Sequence, residues 1–167
     1  EDAVSVAKTG KYAENVYFGK PCGMLDQTAS SVGGFVYMDF KDNNSPYIEK
    51  IEFDLSKYGY SLCVVNTGGS HAGLTDEYAS VSSDMKSVSD FFNKNVLGEV
   101  SKGEFYSNID KLKNNTSERA ILRAGHFFDE MERVDSFKKA LENDDFESML
   151  KLVSQSGNSS FKYLQNV

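Results

Sequence analysis

Residues 19–27 read Gly-Lys-Pro-Cys-Gly-Met-Leu-Asp-Gln. A proline and two glycines interrupt regular structure over the first five positions, which predicts a loop. The sequence from Met24 to Val32 predicts a short helix, and Gly33 and Gly34 end it because glycine tolerates the left-handed conformation of a helix cap. Asp26 would then lie in the first helical turn, where the positive end of the helix dipole favours a carboxylate.

The next part of the chain predicts strands. Phe35–Phe40 and Tyr47–Leu55 are rich in aromatic and β-branched residues, and Asp, Asn, Ser and Pro at positions 42–46 are typical of a turn between them. Tyr60–Val65 is a continuous apolar run, which predicts a strand buried on both faces.

The rest of the chain predicts helices over Thr75–Asn93, Ser117–Glu142 and Phe146–Ser156. The second of these carries an apolar stripe that would face a core, formed by Ala120, Ala124, Phe127, Phe128, Met131 and Val134. Strands first and helices after predict an α+β fold.

Both ends of the sequence look interrupted. Ala3–Tyr12 has helical spacing without a start signal before it, and Phe161–Val167 has no helix terminator. We therefore expect a piece of a larger polypeptide.

Composition excludes several classes of protein. The 167 residues carry 18 Lys and Arg against 25 Asp and Glu, a net charge of −7, without a basic stretch that would bind nucleic acid. The sequence also lacks an apolar run of the roughly 18 residues that cross a membrane. Without a signal-peptide layout, Cys22 and Cys63 predict free thiols in a reducing cytoplasm; a disulfide between them in an exported protein is the alternative.

A few residues could carry chemistry. Asp26 could orient or deprotonate a hydroxyl group. His71 could meet a ligand in the glycine-rich loop 66–73, although a tight structural turn explains that loop better. Tyr78 could present its hydroxyl to a ligand. We expect His126, between apolar neighbours, to pack in a core, and Cys22 to pack beneath its loop because the chain offers no clear His–Asn pair to activate it.

Taken together, these residues resemble the galactokinases of the GHMP small-molecule kinase superfamily, bacterial branch. Residues 19–27 are similar to the family segment G-x-P-C-G-x-x-D-Q. Further stretches agree in order and spacing: Tyr12–Asn15, Val65–His71 with Leu74–Tyr78, Arg123–Arg133 and Ser156–Ser160.

The resemblance implies transfer of the γ-phosphoryl group of ATP, with Mg²⁺, to the C1 hydroxyl of α-D-galactose. By this resemblance Asp26 contacts the C1 hydroxyl, Gly23 lines the sugar site through its backbone, and Tyr78 approaches the sugar. It also implies that residues 1–55 end an N-terminal GHMP kinase domain and that residues 56–167 begin the C-terminal one.

The sequence departs from the family in the motifs that bind the nucleotide and its metal ion. The phosphate loop, the catalytic arginine, the Mg²⁺ ligands and the late glycine-rich motif are absent, so we expect no cofactor-binding or metal-binding residue in this segment. We expect the segment alone to be inactive and prone to self-association. A kinase for N-acetylgalactosamine, and a galactokinase-like sugar sensor that signals through a protein partner, are the alternatives.

Overall fold

A computed structural model describes most of the chain. The described residues are 2–19, 22–42, 44–66, 68 and 75–165. They form two compact units, which are described separately. The first contains Glu1–Tyr60 and Leu141–Asp144, and the second contains Ser61–Ala140 and Asp145–Val167.

The first unit begins with two helices and a hairpin. Its elements are α1 (Ala3–Tyr12) continued by a π-helical turn (Ala13–Tyr17), α2 (Leu25–Val32), β1 (Phe35–Asp39), β2 (Tyr47–Ile51) and a 3₁₀ turn (Leu55–Tyr58). The expectation of an uncapped opening helix is wrong. Asp2 caps α1 by accepting a hydrogen bond from the backbone N–H of Ser5 at 3.0 Å.

The two helices of this unit pack against each other. Ala7 of α1 and Thr28 of α2 are buried, as is Met24 just before α2. A methyl group added at Gly10 of α1 would lie 3.2 Å from Cγ of Gln27. This close approach fixes the start of α2 against α1.

The predicted hairpin is confirmed. β1 and β2 are antiparallel, with Phe35 opposite Ile51 and Asp39 opposite Tyr47. The second strand ends earlier than Leu55, because pairing stops where β1 begins at Phe35. Asp54 then starts the 3₁₀ turn by accepting a hydrogen bond from the Ser56 N–H at 2.9 Å.

The prediction of a buried strand over Tyr60–Val65 is wrong. This segment is irregular, and the side chains of Leu62 and Val64 are 87% and 97% exposed. A strand requires a neighbour to satisfy its backbone groups. Within the described ranges, the only strands are β1 and β2, and they pair with each other and not with the apolar run.

The second unit is helical. Its elements are α3 (Thr75–Phe91), a 3₁₀ turn (Leu97–Glu99), α4 (Lys102–Ser107), α5 (Ile109–Leu112), α6 (Glu118–Glu142), α7 (Phe146–Ser159) and a π-helical turn (Ser160–Leu164). The last two residues of α6 are assigned to the first unit. α3, α6 and α7 confirm the three predicted helices. The described residues are mostly helical and include a small antiparallel sheet, which is consistent with the expected α+β class.

Side chains from α3 to α6 form the core of this unit. Its buried members are Val88, Leu97, Val100, Phe105, Leu112, Ala120, Ala124 and Phe128. The predicted stripe of α6 therefore faces the core up to Phe128, whereas Met131 and Val134 are exposed. Among the described residues, none of the helices combines the length and apolar character needed to cross a bilayer.

Candidate functional site

The loop before α2 is held from both sides. The side-chain oxygen of Asn15, in the turn after α1, accepts a hydrogen bond from the backbone N–H of Cys22 at 2.9 Å. The side-chain amide of Gln27, in α2, donates to the sulfur of Cys22 at 3.4 Å. Cys22 is therefore a half-buried anchor of the loop, as expected, and its thiol is free.

Gly23 and Asp26 follow this anchor and both face solvent. A methyl group added at Gly23 would meet no other atom within 4 Å. Asp26 lies in the first turn of α2, and Met24, which precedes the helix, provides no side-chain cap. Free backbone N–H groups and the positive end of the helix dipole therefore lie close to the Asp26 side chain. The loop thus presents an open backbone position beside an exposed acid.

A shallow groove of about 310 Å³ lies next to this loop in the first unit. It is lined by Lys8, Lys11, Tyr12, Asn15, Val16, Met24 and Asn44. The ammonium group of Lys8 donates to the backbone carbonyl of Asn44 at 2.8 Å. Gly23 and Asp26 do not line the groove, so the candidate residues belong to the exposed helix start instead.

Tyr78 belongs to the second unit. It lies in the first turn of α3 and its side chain is 58% exposed. Close to it in sequence, the hydroxyl of Ser80 donates to the backbone carbonyl of Glu77 at 2.7 Å. His71 and most of the glycine-rich loop before α3 lie outside the described residues.

Arg123 of α6 is a buried residue that the sequence reasoning did not single out as functional. Its side chain is 2% exposed. Nη1 donates to Asp84 Oδ2 at 2.7 Å and to the Ser80 hydroxyl at 2.9 Å, and Nε donates to the Leu164 carbonyl at 2.9 Å. Arg119, one turn earlier, also donates to Asp84 at 2.7 Å. A signal for this contact is present in the sequence. Ser80 and Asp84 are four residues apart, and so are Arg119 and Arg123, so each pair lies on one face of its helix.

His126 is a packed core residue, as predicted. Its Nδ1 lies 2.9 Å from the hydroxyl of Ser159, so the contact joins α6 to α7. Burial lowers the pKa of His126 below its usual value, and the nearby positive charge of Arg133 lowers it further. The imidazole is therefore neutral near pH 7.

The described residues do not fit a metal site. Within those ranges, no three His, Cys, Asp or Glu side chains come close enough together to hold an ion. A Mg²⁺ ion requires oxygen ligands, usually from one or two carboxylates and substrate phosphates. No step of a reaction can be assigned to such an ion from these residues.

Comparison with known proteins points to sugar kinases. The chain is 29% identical over 154 residues to the galactokinase of Actinobacillus pleuropneumoniae serotype 3, covering 92% of this chain and 39% of that protein. Over 143 residues it is 29% identical to the galactokinase of Streptomyces coelicolor, covering 84% of this chain and 36% of that protein. It is also 29% identical over 157 residues to the galactokinase of Clostridium perfringens strain SM101, covering 92% of this chain and 39% of that protein.

No family model matches the chain. The chain spans about two fifths of the length of the relatives just named. It is therefore similar to one segment of a class of sugar kinases. The proteins that it resembles within this class are galactokinases.

The first prediction concerns the neutral state of His126. Because the unfolded state takes up a proton near pH 6.5 and the folded state resists it, the free energy of unfolding should fall as the pH drops below 6.5. Replacing the residue (His126→Gln) removes this titration and keeps an amide that can meet Ser159. In urea unfolding between about pH 5.5 and 7.5, the parent should lose stability more steeply, by up to about 1.4 kcal/mol per pH unit. If the free energy of unfolding depends on pH in the same way in the parent and in His126→Gln, His126 titrates normally in the folded state.

Proposed function

We propose that the chain is the sugar-acceptor segment of a galactokinase, which transfers the γ-phosphoryl group of ATP to the C1 hydroxyl of α-D-galactose. The observation that carries the proposal is the helix start that presents Asp26 to solvent beside the open backbone of Gly23. The similarity to three galactokinases supports the substrate class.

Asp26 would act on the acceptor hydroxyl. Its carboxylate can accept a hydrogen bond from the C1 hydroxyl and orient its oxygen, or take its proton as the new bond forms. The hydrogen bonds of Cys22 to Asn15 and Gln27 hold the backbone four residues before Asp26. Phosphoryl transfer depends on this kind of positioning more than on covalent help from the protein.

Gly23 and Tyr78 would contact the sugar. The space around Gly23 allows a sugar ring to approach the backbone, which a side chain would obstruct. Tyr78 would offer a hydrogen bond from an exposed phenol to a sugar hydroxyl. Both contacts serve binding and orientation.

In this proposal ATP and Mg²⁺ are held by residues outside the segment, as the resemblance to galactokinases implies. The division into kinase domains at residues 55 and 56 stays a prediction, as does a cytoplasmic location. We also propose that the isolated segment self-associates through its exposed apolar run, Leu62–Val65.

Replacing the proposed catalytic acid (Asp26→Asn) in the full-length protein should lower kcat by about 10²–10⁴-fold. The amide keeps the shape of the side chain but lacks its charge and its basicity, so the fold and the KM for galactose should change little. Steady-state assays would be compared with Asp110→Asn, which alters an exposed aspartate in the first turn of α5. A kcat for Asp26→Asn within about threefold of the parent would contradict the assignment.

Removing the proposed sugar-binding hydroxyl (Tyr78→Phe) should raise the Kd for galactose about fivefold, equivalent to one lost hydrogen bond of about 1 kcal/mol. The ring is retained, so stability should be nearly unchanged. Calorimetric titration would measure the affinity, with Tyr106→Phe of α4 as the matched control. Equal affinities in the parent and both variants would make Tyr78 a packing residue.

The 167-residue segment alone should not phosphorylate galactose, because it presents only the acceptor side of the reaction. One carboxylate provides about 10²–10⁴-fold, well short of the acceleration that kinases achieve. A coupled assay of ADP release with galactose would compare the segment with the full-length protein. A rate near that of the full-length protein would place the catalytic machinery within these residues.

A further inference from the structure

The guanidinium group of Arg123 holds two consecutive turns of α3. It binds the hydroxyl of Ser80 in one turn and the carboxylate of Asp84 in the next. Its Nε is directed to the carbonyl of Leu164, at the end of the helical segment that continues α7. A buried arginine with three such partners is fixed in one position, so it serves as a rigid reference point for α3.

A chain of hydrogen bonds leads from Arg123 to the first turn of α3. The Ser80 hydroxyl accepts from Arg123 at 2.9 Å and itself donates to the carbonyl of Glu77 at 2.7 Å. Glu77 directly precedes Tyr78. Donation from a cation polarises the hydroxyl and strengthens its own donated hydrogen bond.

The first turn of a helix needs this support more than later turns do. Its N–H groups have no partners within the helix, and helix ends fray by one or two residues. Tyr78 lies in such a turn, and its side chain is mostly exposed. The bond to the Glu77 carbonyl fixes the backbone from which Tyr78 extends.

We infer that Ser80, held by Arg123, is a positioning residue for the sugar: it sets the orientation of Tyr78 without touching the substrate. The inference rests on the proposed function, because it takes Tyr78 as a contact to galactose. It adds a determinant of sugar affinity that does not touch the sugar: the Ser80 hydroxyl, held by the buried Arg123.

The test removes the hydroxyl of Ser80 and leaves the ion pair with Asp84 in place. In the full-length protein, Ser80→Ala should raise the KM for galactose about three- to tenfold, with kcat and the KM for ATP little changed. The matched control is Ser87→Ala, since Ser87 makes the same kind of bond in the same helix, to the carbonyl of Asp84 at 2.7 Å, without contact to Arg123. Alanine favours helix, so both variants should fold. A third variant, Ser80→Thr, keeps the hydroxyl and should restore the KM.

Hydrogen exchange provides a readout that does not depend on catalysis. The amides of residues 79–81 should exchange faster in Ser80→Ala than in the parent and in Ser87→Ala. Equal exchange in all three proteins would overturn the inference. So would an unchanged galactose KM in Ser80→Ala when Tyr78→Phe weakens galactose binding, and the proposed function would then still stand. If the parent does not use galactose, the proposed function fails, and with it the role of Ser80 in sugar binding.

Discussion

The burial of Arg123 against Asp84 is the constraint on which the helical unit depends. A guanidinium removed from water is stable only when its charge is compensated and its N–H groups find acceptors. Asp84 provides the charge, and the Ser80 hydroxyl and the Leu164 carbonyl provide further acceptors. Loss of one charged partner from such a buried pair typically costs about 3–5 kcal/mol. One side chain of α6 therefore fixes both α3 and the end of the segment that follows α7.

In the first unit, uncharged groups fix the position of one helix against another. Close packing at Gly10 sets α2 against α1, and Asn15 and Gln27 secure the loop between them through Cys22. The result is an exposed helix start with a fixed geometry. In both units a residue proposed to meet the sugar lies in the first turn of a helix, and side-chain hydrogen bonds hold the backbone close to it.

Local patterns predicted much of this structure. The helix Leu25–Val32 and the β1–β2 hairpin follow from spacing and turn chemistry, which act over a few residues. Tyr60–Val65 could not be predicted in this way, because the same apolar run forms a strand only when a partner strand lies beside it. The Arg123 contacts were missed for a related reason: the matching four-residue spacings in α3 and α6 are visible in the sequence, but they indicate a contact only once these two helices are known to meet. Asp26 was a candidate from its position in a helix start, whereas Gly23 was added only by the family resemblance; the role of both residues stays a prediction.

The central claim is that this segment carries the acceptor site of a kinase that phosphorylates galactose at its C1 hydroxyl. The most direct test incubates the full-length protein with ATP, Mg²⁺ and galactose and identifies the product by phosphorus NMR. The account predicts ADP release that requires galactose, and a product whose phosphorus couples to the anomeric proton. Absence of galactose-dependent turnover, a phosphate on another hydroxyl, or a strong preference for N-acetylgalactosamine in kcat/KM would contradict it.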